Sequence, residues 1–552
     1  METLPPFSKT TVLVIGGGPT GLTAALLLAR YGLRSIVIER HFTRSGQPKA
    51  HAINPRSLEI FRQIGLDTVQ LRGLGVKPED GDTVRFAVSM SGEEHGTLPY
   101  ERQGEETRAI TPEPLFNIPQ PVLEDFLWKA VTKNEMITSY RGMQWDCCSQ
   151  VDGTRLSSKI TDRSRGCSKI IESVYILDCG GANSRSRQPL EIPFSPLPEY
   201  GQTEVHHVSV HIRADLTRFN PGTLWWISSS LVEGTFICYN RSSDWVFVTY
   251  YDPKTTPREK FSEEYCHTMI DNAIGEHVPY EILSITVWST WPRTAEFYQS
   301  KKFPRAFVMG DAAHAFPPTG GLGVNTGIAD AHNLAWKISA VEQSWADERI
   351  LASYGNERRP VAIANARQSV KNQVKLRNLK AALKNPPSNS DPVDASKWTE
   401  WKRRLETELQ QNSEHFDSIN LQIGYVYGPG EYSDEPCDNY TPRSIPGARL
   451  PHAWISRDDE IISALDLVDG NSFVLFTKYQ DLSRAPDAEN VLVPIRTLYV
   501  GVDFTLLDES WLDVIGISEE GSSLLVRPDQ HILGKVKSID EVQRLLTEAL
   551  IS

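Results

Sequence analysis

The segment Thr11–Arg40, TVLVIGGGPTGLTAALLLARYGLRSIVIER, decides the fold. The β-branched run VLVI predicts a buried strand, and Gly16, Gly18 and Gly21 follow it in a GxGxxG pattern. The first glycine permits a tight turn, the second lets a pyrophosphate approach the backbone, and the third lets a helix pack against the strand. The Ala- and Leu-rich stretch that follows predicts a helix whose N-terminus presents free N–H groups to a phosphate. A second strand, SIVIE, ends at Glu39, where a carboxylate can accept hydrogen bonds from both hydroxyls of a ribose.

The strand, glycine turn, helix and acidic strand end together predict a Rossmann-type dinucleotide site. A glycine-rich turn with a purely structural role would not need Glu39. The same carboxylate disfavours a 2′-phosphate at this ribose. The predicted cofactor contacts of this segment are Gly16, Gly18, Pro19, Thr20, Gly21, Glu39 and Arg40.

A second chemical segment, RAFVMGDAAHAFPPTGGLGVNTGIADAHNLAWKI, spans Arg305–Ile338. The run AFVM predicts a buried strand that ends at Gly310 and Asp311, where a carboxylate suits a ribityl or ribose hydroxyl. The loop PPTGGLGVN can lie against a planar ring, and a helix predicted from about 326 to 341 directs its N-terminus at that ring. His314 is interpreted as structural. The predicted cofactor contacts are Gly310, Asp311, Pro318, Gly321, Gly323, Val324 and Asn325.

The two segments together resemble the FAD-dependent aromatic hydroxylases, the class A flavoprotein monooxygenases, in GGGPTGL, GDAAH and GGLGVNTG. Two segments between them add to the resemblance. KAHAINPRSLEIFRQIGL (Lys49–Leu66) is similar to the family's helix with an FAD-contacting arginine, here Arg56. IPQPVLEDFL (Ile118–Leu127) is similar to the segment whose glutamine reaches the cofactor, here Gln120.

Near the C-terminus, IPGARLPHAW (Ile445–Trp454) and LLVRPDQHI (Leu524–Ile532) resemble the phenol hydroxylase branch of this family. The resemblance implies a thioredoxin-like fold for that part of the chain. Because no CxxC motif is present there, it implies a structural or assembly role, such as formation of a homodimer, and not redox exchange.

The resemblance also implies a reaction. NAD(P)H would reduce a non-covalently bound FAD, and O2 would form a flavin C4a-hydroperoxide that oxygenates a phenolic or polyketide-derived aromatic small molecule. Hydroxylation is the favoured outcome. Baeyer–Villiger oxygen insertion and oxidative dearomatisation stay open, because the same fold supports them.

One segment departs from the family pattern. In ILDCGGANSRSR, residues 176–187, Gly180 occupies the position of the usual aspartate, and Asp178 lies two residues earlier. Three interpretations compete. Asp178 takes over as a cofactor contact, since residues 178 and 180 of a strand share a face; the carboxylate is dispensable; or the protein is a redox-neutral, structural FAD protein.

Between residues 200 and 300, β-branched and aromatic residues alternate with polar ones, which predicts a sheet that covers the flavin and carries substrate. Its candidate pocket aromatics could equally be core residues. The resemblance aligns His51 with an aspartate beside the substrate phenol, and an imidazole there could act as a base or be a structural histidine. The aromatic candidates are Trp225, Trp226, Tyr239, Trp245, Tyr250 and Tyr251, and the predicted pocket is Trp226, Tyr239, Tyr250 and Pro317.

Composition supports this organisation. The 552 residues carry a formal net charge of −13, which argues against nucleic acid or an anionic membrane as partner. No apolar run is long enough to span a bilayer, and seven cysteines without a CxxC pair predict neither disulfides nor a metal site but a reducing, cytoplasmic setting.

The predicted fold class is α/β, with a Rossmann-type FAD domain, a β-sheet substrate domain and a C-terminal thioredoxin-like domain. Ser538 and Glu541 predict a capping box for the last helix. The predicted boundaries are 1–195 and 301–383 for the FAD domain, 196–300 for the substrate domain, 384–414 for a linker and connecting helix, and 415–552 for the last domain.

Overall fold

The computed structural model describes residues 4–43, 46, 49–197, 204–383, 395–428, 436–478 and 493–551. Within them the strands, in chain order, are β1 (Phe7–Ile15), β2 (Ser35–Glu39), β3 (Ala52–Ile53), β4 (Thr83–Ala87), β5 (Glu94–Pro99), β6 (Phe116–Asn117), β7 (Ile137–Arg141), β8 (Met143–Gln150), β9 (Leu156–Asp162), β10 (Cys167–Asp178), β11 (Phe194–Pro196), β12 (Val205–Ala214), β13 (Leu224–Ser228), β14 (Glu233–Asn240), β15 (Asp244–Tyr251), β16 (Tyr280–Thr290), β17 (Arg293–Ala295), β18 (Ala306–Val308), β19 (His314–Ala315), β20 (Trp454–Arg457), β21 (Glu460–Ser463), β22 (Phe473–Thr477), β23 (Ile495–Tyr499), β24 (Thr505–Leu506), β25 (Ser523–Val526) and β26 (Ile532–Val536).

The α-helices of the same residues are α1 (Pro19–Arg30), α2 (Pro55–Gln63), α3 (Thr68–Arg72), α4 (Pro78–Gly81), α5 (Gln120–Lys133), α6 (Glu263–Ile274), α7 (Gly323–Glu342), α8 (Ser353–Leu383), α9 (Ala395–Gln411), α10 (Ser413–Phe416), α11 (Ile419–Ile423), α12 (Trp511–Ile515) and α13 (Ile539–Ile551). Helix α7 begins three residues before the predicted start at 326. At α13, the Ser538 hydroxyl accepts the Glu541 N–H as predicted, but the Glu541 carboxylate accepts the Lys537 N–H.

The first sheet has the order β7-β2-β1-β10-β9-β8, and β18 pairs with β10. Strands β7, β2, β1, β10 and β18 are parallel, so their carboxyl ends meet at one edge. Ile15 pairs with Asp178, and Asp178 pairs with Val308. This register brings the turns that follow β1, β10 and β18 together, which confirms the predicted Rossmann-type arrangement.

The second sheet has the order β16-β12-β15-β14-β13-β4-β5. It contains the predicted strands of 200–300, but β4 and β5 come from residues predicted to belong to the FAD domain. Leu224 of β13 pairs in parallel with Val84 of β4, which extends the sheet. The second sheet therefore combines strands from two separate parts of the chain, a long-range pairing that local patterns do not reveal.

Helix α9 falls in the range predicted as a linker and connecting helix, and residues 384–394 of that range lie outside the described residues. Trp401, Leu405 and Leu409 of α9 are buried in one apolar cluster with Leu379 of α8 and Trp226 of β13. This helix is thus packed against α8 and the second sheet.

The C-terminal sheet has the order β23-β22-β25-β26, with β22 and β23 parallel and the other pairs antiparallel. This order agrees with the predicted thioredoxin-like fold. Phe473 of β22 packs edge-on against Trp336 and Trp345 of the FAD side, with ring centroids 6.0 and 6.1 Å away. Since one apolar core spans both parts, the last domain does not fold on an independent core alone. No helix among the described residues is long and apolar enough to cross a bilayer.

Candidate active site

Of the three glycines of the GxGxxG pattern, only Gly18 faces open space. Gly16 has φ +108°, and a Cβ there would lie 2.4 Å from the Cys179 carbonyl oxygen. A Cβ at Gly21 would lie 2.1 Å from the Gly16 carbonyl oxygen, whereas one at Gly18 would meet no protein atom within 4 Å. Gly16 and Gly21 are therefore required for packing, and Gly18 at the start of α1 faces the space that a pyrophosphate would fill.

Glu39 lies at the mouth of this turn. Its Oε2 accepts the Gly17 N–H at 2.8 Å and its Oε1 accepts the His41 N–H at 2.8 Å. These bonds hold the carboxylate at the strand end, where the ribose contact is predicted. Arg40 directs its Nε to the His41 ring at 3.1 Å, and the Arg40 carbonyl accepts a hydrogen bond from Arg163.

Thr20 lies in the packed contact between α1 and α7 and does not face an open surface. A Cβ at Gly310 would lie 2.6 Å from the Thr20 Oγ1, and a Cβ at Gly327 would lie 2.3 Å from the same atom. The threonine therefore fills the contact between α1 and the second glycine segment. Pro19, its neighbour in the first turn of α1, is buried.

Asp311 is the free carboxylate of the second segment. Its side chain is exposed and makes no hydrogen bond with any residue that the structure describes. The surrounding protein raises the pKa of this carboxyl, while the nearby charges of His314, Lys49 and Arg293 lower it. Gly323 lies on the same cleft, since a Cβ there would lie 4.0 Å from Asp311. Pro318 is exposed beside it, and Gly321 and Val324 are half-buried.

Asn325 joins two segments through its side chain. Its Oδ1 accepts hydrogen bonds from the Asn54 N–H at 3.0 Å and the Ser57 hydroxyl at 2.7 Å. Its Nδ2 donates to the carbonyls of Ala52 at 3.0 Å and Gly321 at 2.8 Å. This side chain fixes the loop 317–325 to residues 52–57, and the predicted cofactor contact of Asn325 stays a prediction.

Arg56 is held by several protein partners, and its predicted contact with FAD stays a prediction. Its Nη1 donates to Gln530 at 2.6 Å and to Glu59 at 3.1 Å, and its Nη2 donates to the Asp529 carbonyl at 2.7 Å. The side chain is buried, and these partners connect α2 with the turn between β25 and β26. Two of its acceptors, Gln530 and the Asp529 carbonyl, lie more than 470 residues away in the chain, so the local helix motif gave no sign of them.

Gln120 anchors the segment before His51. Its backbone N–H donates to the Ala50 carbonyl at 3.0 Å, and its Oε1 accepts the Ala50 N–H at 3.2 Å. Its Nε2 donates to Glu124 at 2.7 Å.

The Asp178 side chain hydrogen-bonds to the loop that follows it. Its Oδ1 accepts the Gly180 N–H at 2.9 Å, and its Oδ2 accepts the Ser184 hydroxyl at 2.7 Å. Burial raises the pKa of this carboxyl, although both hydrogen bonds lower it. Strand β10 ends at Asp178, so the argument that residues 178 and 180 share a strand face does not apply. The two hydrogen bonds give Asp178 a structural role in this loop, and its takeover as a cofactor contact stays a prediction. A Cβ at Gly180 would lie 2.9 Å from Asp178 Oδ1.

His314 is held by Asp330, a buried residue that the sequence analysis did not single out. Asp330 Oδ2 lies 2.8 Å from His314 Nε2 and accepts the Gly310 N–H at 3.1 Å, and its Oδ1 accepts from Arg358 at 2.8 Å. Burial raises the pKa of Asp330, but the charges of His314 and Arg358 outweigh it and lower that pKa. The structural interpretation of His314 agrees with this geometry. An aspartate inside an apolar helix was the available signal.

The candidate pocket aromatics divide between the two faces of the second sheet. Trp225 and Trp245 are buried in a cluster with α6, and Tyr251 packs against that cluster. Trp226 lies on the opposite face, toward α8 and α9, and strand alternation puts Tyr239 and Tyr250 on that same face. Lys380 of α8 lies over both Trp226 and Tyr250, at 5.5 and 4.8 Å from the ring centroids. Pro317 is buried in the loop beside the cleft.

His51 lies among aromatic rings on this face. Its ring centroid is 5.7 Å from that of Tyr100 and 6.1 Å from that of Tyr239. Its Nδ1 lies 2.9 Å from Asn117 Oδ1, and Asn117 Nδ2 faces the acceptors Gly81 O and Thr223 Oγ1 at 3.4 Å. Because an amide oxygen only accepts, Nδ1 carries the proton and Nε2 keeps its lone pair. Burial lowers the pKa of His51, although the bond to Asn117 raises it.

Two arginines share one aromatic ring beside the 180–187 loop. The guanidinium groups of Arg187 and Arg293 lie 3.5 and 4.5 Å from the centroid of Phe194. Burial, together with repulsion by Arg293, lowers the pKa of Arg187 to about 10. A cavity of about 750 Å³ adjoins this group, lined by Ser184, Arg185, Arg187, Gln188, Glu191, Ile192 and Pro193.

The family model described as "FAD binding domain" matches residues 9–369, and the model described as "Aromatic-ring hydroxylase, C-terminal" matches residues 443–551. The chain belongs to the FAD-dependent aromatic-ring hydroxylase family. The chain is an FAD-dependent monooxygenase with an α/β fold, as the sequence predicted.

Three relatives illustrate this family. A 2,4-dichlorophenol 6-monooxygenase of Cupriavidus pinatubonensis is 30% identical over 96% of this chain and 94% of its own length. The FAD-dependent monooxygenase apdD of Emericella nidulans is 28% identical over 98% of this chain and 90% of its own length. The crystal structure of the flavin-dependent monooxygenase PieE with FAD and substrate has a TM-score of 0.89 at 27% identity, covering 98% of this chain and 99% of that one.

Proposed function

We propose that this hydroxylase oxygenates a phenol that binds beside His51, with FAD held along Gly18, Glu39 and Asp311. The observation that carries the proposal is the position of a neutral imidazole next to the flavin-side loop. His51 precedes Ala52, and a Cβ at Gly321 would lie 3.0 Å from the Ala52 Cβ. His51, the proposed substrate base, is therefore one residue away from the contact between Ala52 and the cofactor loop.

The residues along the cleft fit FAD. The free space at Gly18, the carboxylate of Glu39 and the unpaired, exposed carboxylate of Asp311 suit the pyrophosphate, a ribose and the ribityl hydroxyls, respectively. When bound, FAD takes a hydride from NAD(P)H and activates dioxygen for transfer of one oxygen atom to an aromatic carbon.

His51 supplies the protein's part of the chemistry. Its Nε2 lone pair accepts the proton of the substrate hydroxyl, and the resulting phenolate carbon is a stronger nucleophile toward oxygen. Asn117 holds the tautomer that makes this transfer possible. The buried rings of Tyr100 and Tyr239 exclude water from the reacting group. A base directed at a hydroxyl favours hydroxylation over Baeyer–Villiger insertion, which needs a carbonyl.

Rapid-reaction measurements on His51 variants test the proposal. The His51→Ala variant should bind FAD normally and lose about 10²-fold or more in phenol hydroxylation near pH 7, with NADPH oxidation diverted to hydrogen peroxide. His51→Asp should recover much of the loss, and His267→Ala, which changes an exposed histidine on α6, should have no effect. Unchanged product formation by His51→Ala would exclude this role.

The nicotinamide donor is proposed to bind in the cavity beside Arg187 and Arg293, since two cations held over Phe194 attract a dinucleotide phosphate. A redox-neutral FAD protein was the alternative suggested by Gly180, and the monooxygenase relatives do not favour it. We also propose a cytoplasmic location, because all seven cysteines are free thiols, and a homodimer as the assembly, which gel filtration would test.

A further inference from the structure

We infer that an ordered water molecule binds in a small polar cavity where the N-terminal parts of α2 and α7 meet α8 and the segment 421–425. This inference is independent of the proposed phenol site, because His51 and the rings beside it do not line the cavity. The polar side chains that do line it belong to Asn54, Arg56, Asn325, Thr326, Arg358, Asn365, Gln422 and Tyr425.

The cavity has the size of one water molecule. The space open to the centre of a water is about 10 Å³, close to what a single buried water requires. Its walls come from four separate parts of the chain, residues 54–56, 322–329, 358–365 and 421–425. A phosphate group or an aromatic ring is too large for this space.

Two buried polar atoms of the lining residues have no hydrogen-bond partner among the described residues. They are Arg56 Nε and Asn365 Oδ1, in residues that are 1% and 5% exposed. The other polar atom of the Asn365 side chain is used, since its Nδ2 donates to Thr326 Oγ1 at 2.9 Å. Buried polar groups are rarely left unpaired, because they lose their hydrogen bonds to bulk water on folding. One donor and one acceptor therefore face the cavity without a protein partner.

Three further lining side chains each use only part of their hydrogen-bonding capacity. Asn54 accepts the Ser57 N–H with its Oδ1 at 2.9 Å, and its Nδ2 makes no hydrogen bond with a described residue. Gln422 donates from its Nε2 to Glu101 at 2.9 Å, and its Oε1 is likewise unpaired within the described residues. The Tyr425 hydroxyl is the third such group, although its ring lies 5.3 Å from the Arg358 guanidinium. These three residues are buried.

The mixture of donors and acceptors selects water over an ion. Arg56 Nε and Asn54 Nδ2 can only donate, whereas the side-chain oxygens of Asn365 and Gln422 can only accept. An anion would face these two oxygens, and a cation would face two buried guanidinium groups. Each arginine already has a carboxylate partner, at 3.1 Å for Arg56 and 2.8 Å for Arg358. Water both donates and accepts, so it satisfies groups of both kinds.

The position of the site gives this water a structural role. It lies behind the first turns of α7, which follow the loop 317–325, and beside the segment that Gln422 connects to Glu101. A bridging water is nearly as favourable as a direct hydrogen bond. The water thus joins the FAD side of the molecule to the segment 421–425.

A high-resolution crystal structure of the FAD-loaded full chain tests the assignment directly. We expect a water peak within about 2.7–3.2 Å of at least three of the five unpaired atoms. Direct hydrogen bonds among these atoms that close the cavity would overturn the inference. An anomalous bromide peak at this position in a bromide-soaked crystal would also overturn it, because the site would then bind an anion.

Tyr425→Phe tests the same inference in solution through the sign of its effect on Tm. If a water accepts from or donates to the Tyr425 hydroxyl, its removal should lower the Tm by about 1 °C. Tyr354→Phe, which removes a hydroxyl that donates to the Val308 carbonyl at 2.9 Å, gives the loss expected for a satisfied buried hydroxyl. Tyr298→Phe removes a buried hydroxyl that has no partner among the described residues and lies outside the cavity, so it should not lower the Tm.

A Tm of Tyr425→Phe that is equal to or above that of the unmodified protein would contradict a water at this hydroxyl. Phenol hydroxylation by the unmodified protein and by the His51 variants does not enter this comparison. Failure of the water assignment therefore leaves the proposed function untouched, and the reverse also holds.

Discussion

Arg187 and Arg293 illustrate what a single pair of residues contributes. Both guanidinium groups lie over Phe194, and the Nε atom of each is buried without a hydrogen-bond partner among the described residues. Two cations held this close repel each other, and an anion between them relieves the repulsion. The pair is therefore more favourable with a bound phosphate than without one.

The first prediction concerns this pair. Arg187→Gln should raise the KM for NADPH about tenfold or more and leave kcat at saturating NADPH and the Kd of the phenol nearly unchanged. The difference should shrink at high ionic strength, because salt screens the lost attraction. Steady-state kinetics at two salt concentrations measure it, and Arg213→Gln, which changes an exposed arginine, is the control. An unchanged KM would exclude Arg187 from the donor site.

Residues whose roles depend on local chain geometry were predictable from the sequence. The GxGxxG turn and Glu39 follow from a strand, a tight turn and a helix within 30 residues. Arg56 and Asn325 were interpreted as cofactor contacts because their motifs are local, but the hydrogen bonds of Arg56 to Gln530 and of Asn325 to Ala52 span hundreds of residues and could not be predicted. For Asp178, strand periodicity no longer supports the predicted cofactor contact, since β10 ends at this residue.

At the scale of elements, the contact between the end of β5 and the segment 413–422 is the least expected. Glu101, in that contact, has φ +54°, an uncommon conformation for a residue other than glycine. Burial raises the pKa of its carboxyl to about 7; Asp417 also raises it, while its hydrogen bonds to Ser418 and Gln422 lower it. The predicted boundary between residues 414 and 415 divides this segment between the linker and connecting helix and the last domain. Nothing local reveals that its partner is the carboxylate of Glu101, more than 300 residues away.

The second prediction is a pH dependence of stability. A carboxyl whose folded pKa is about 7 and whose unfolded pKa is about 4.5 favours folding below pH 4.5, and this contribution is lost as the pH rises to 7. The buried His415 and His452 have pKa values lowered to about 3 by burial, so their contribution to the free energy of unfolding instead increases with pH up to about pH 6.5. The measured quantity is therefore the difference in the free energy of unfolding between wild type and Glu101→Gln, whose amide resembles the protonated acid.

We expect the free energy of unfolding of Glu101→Gln, relative to wild type, to increase by up to about 1.4 kcal/mol per pH unit between pH 5 and 7. Chemical denaturation at several pH values measures this difference. Glu105→Gln, at an exposed carboxylate nearby, should follow the wild-type curve. Parallel curves for wild type and Glu101→Gln would mean that Glu101 does not titrate in this range.

At the scale of the whole molecule, the turn between β25 and β26 inserts charged residues into the FAD side. Arg527 donates to Glu357 Oε1 at 2.6 Å and to Asp529 Oδ2 at 2.6 Å, and Glu357 also accepts from Lys337 at 2.6 Å. Tyr427 stacks on His531 and hydrogen-bonds to Arg358, the partner of Asp330. A buried network therefore runs from the C-terminal sheet to the residue that holds Gly310 and His314.

The third prediction is that this network supports FAD binding from a distance. Arg527→Met should leave the buried Asp529 carboxylate without its cation and Glu357 with Lys337 as its remaining ion-pair partner, and lower the free energy of unfolding by about 3–5 kcal/mol. It should also weaken FAD binding, while Arg527→Lys retains part of both. Arg544→Met, which breaks the exposed pair with Glu548, should cost less than about 1 kcal/mol. Thermal unfolding and FAD titration of the full chain measure these effects, and an unchanged FAD Kd in a destabilised Arg527→Met protein would contradict the coupling.

The late position of this turn in the chain affects how the protein is made. A ribosome that has reached residue 440 has already released the glycine turns and Asp311, but it has not yet released Arg527, Asp529 or Gln530. At about 5–20 residues per second, the roughly 90 residues from that point to Gln530 take on the order of 5–20 s to appear. During that interval Arg56, Glu357 and the apolar face around Trp336 lack the partners that Gln530, Arg527 and Phe473 supply in the folded protein. We therefore expect the yield of folded protein to depend on chaperones that shield these surfaces until the turn between β25 and β26 has been synthesised.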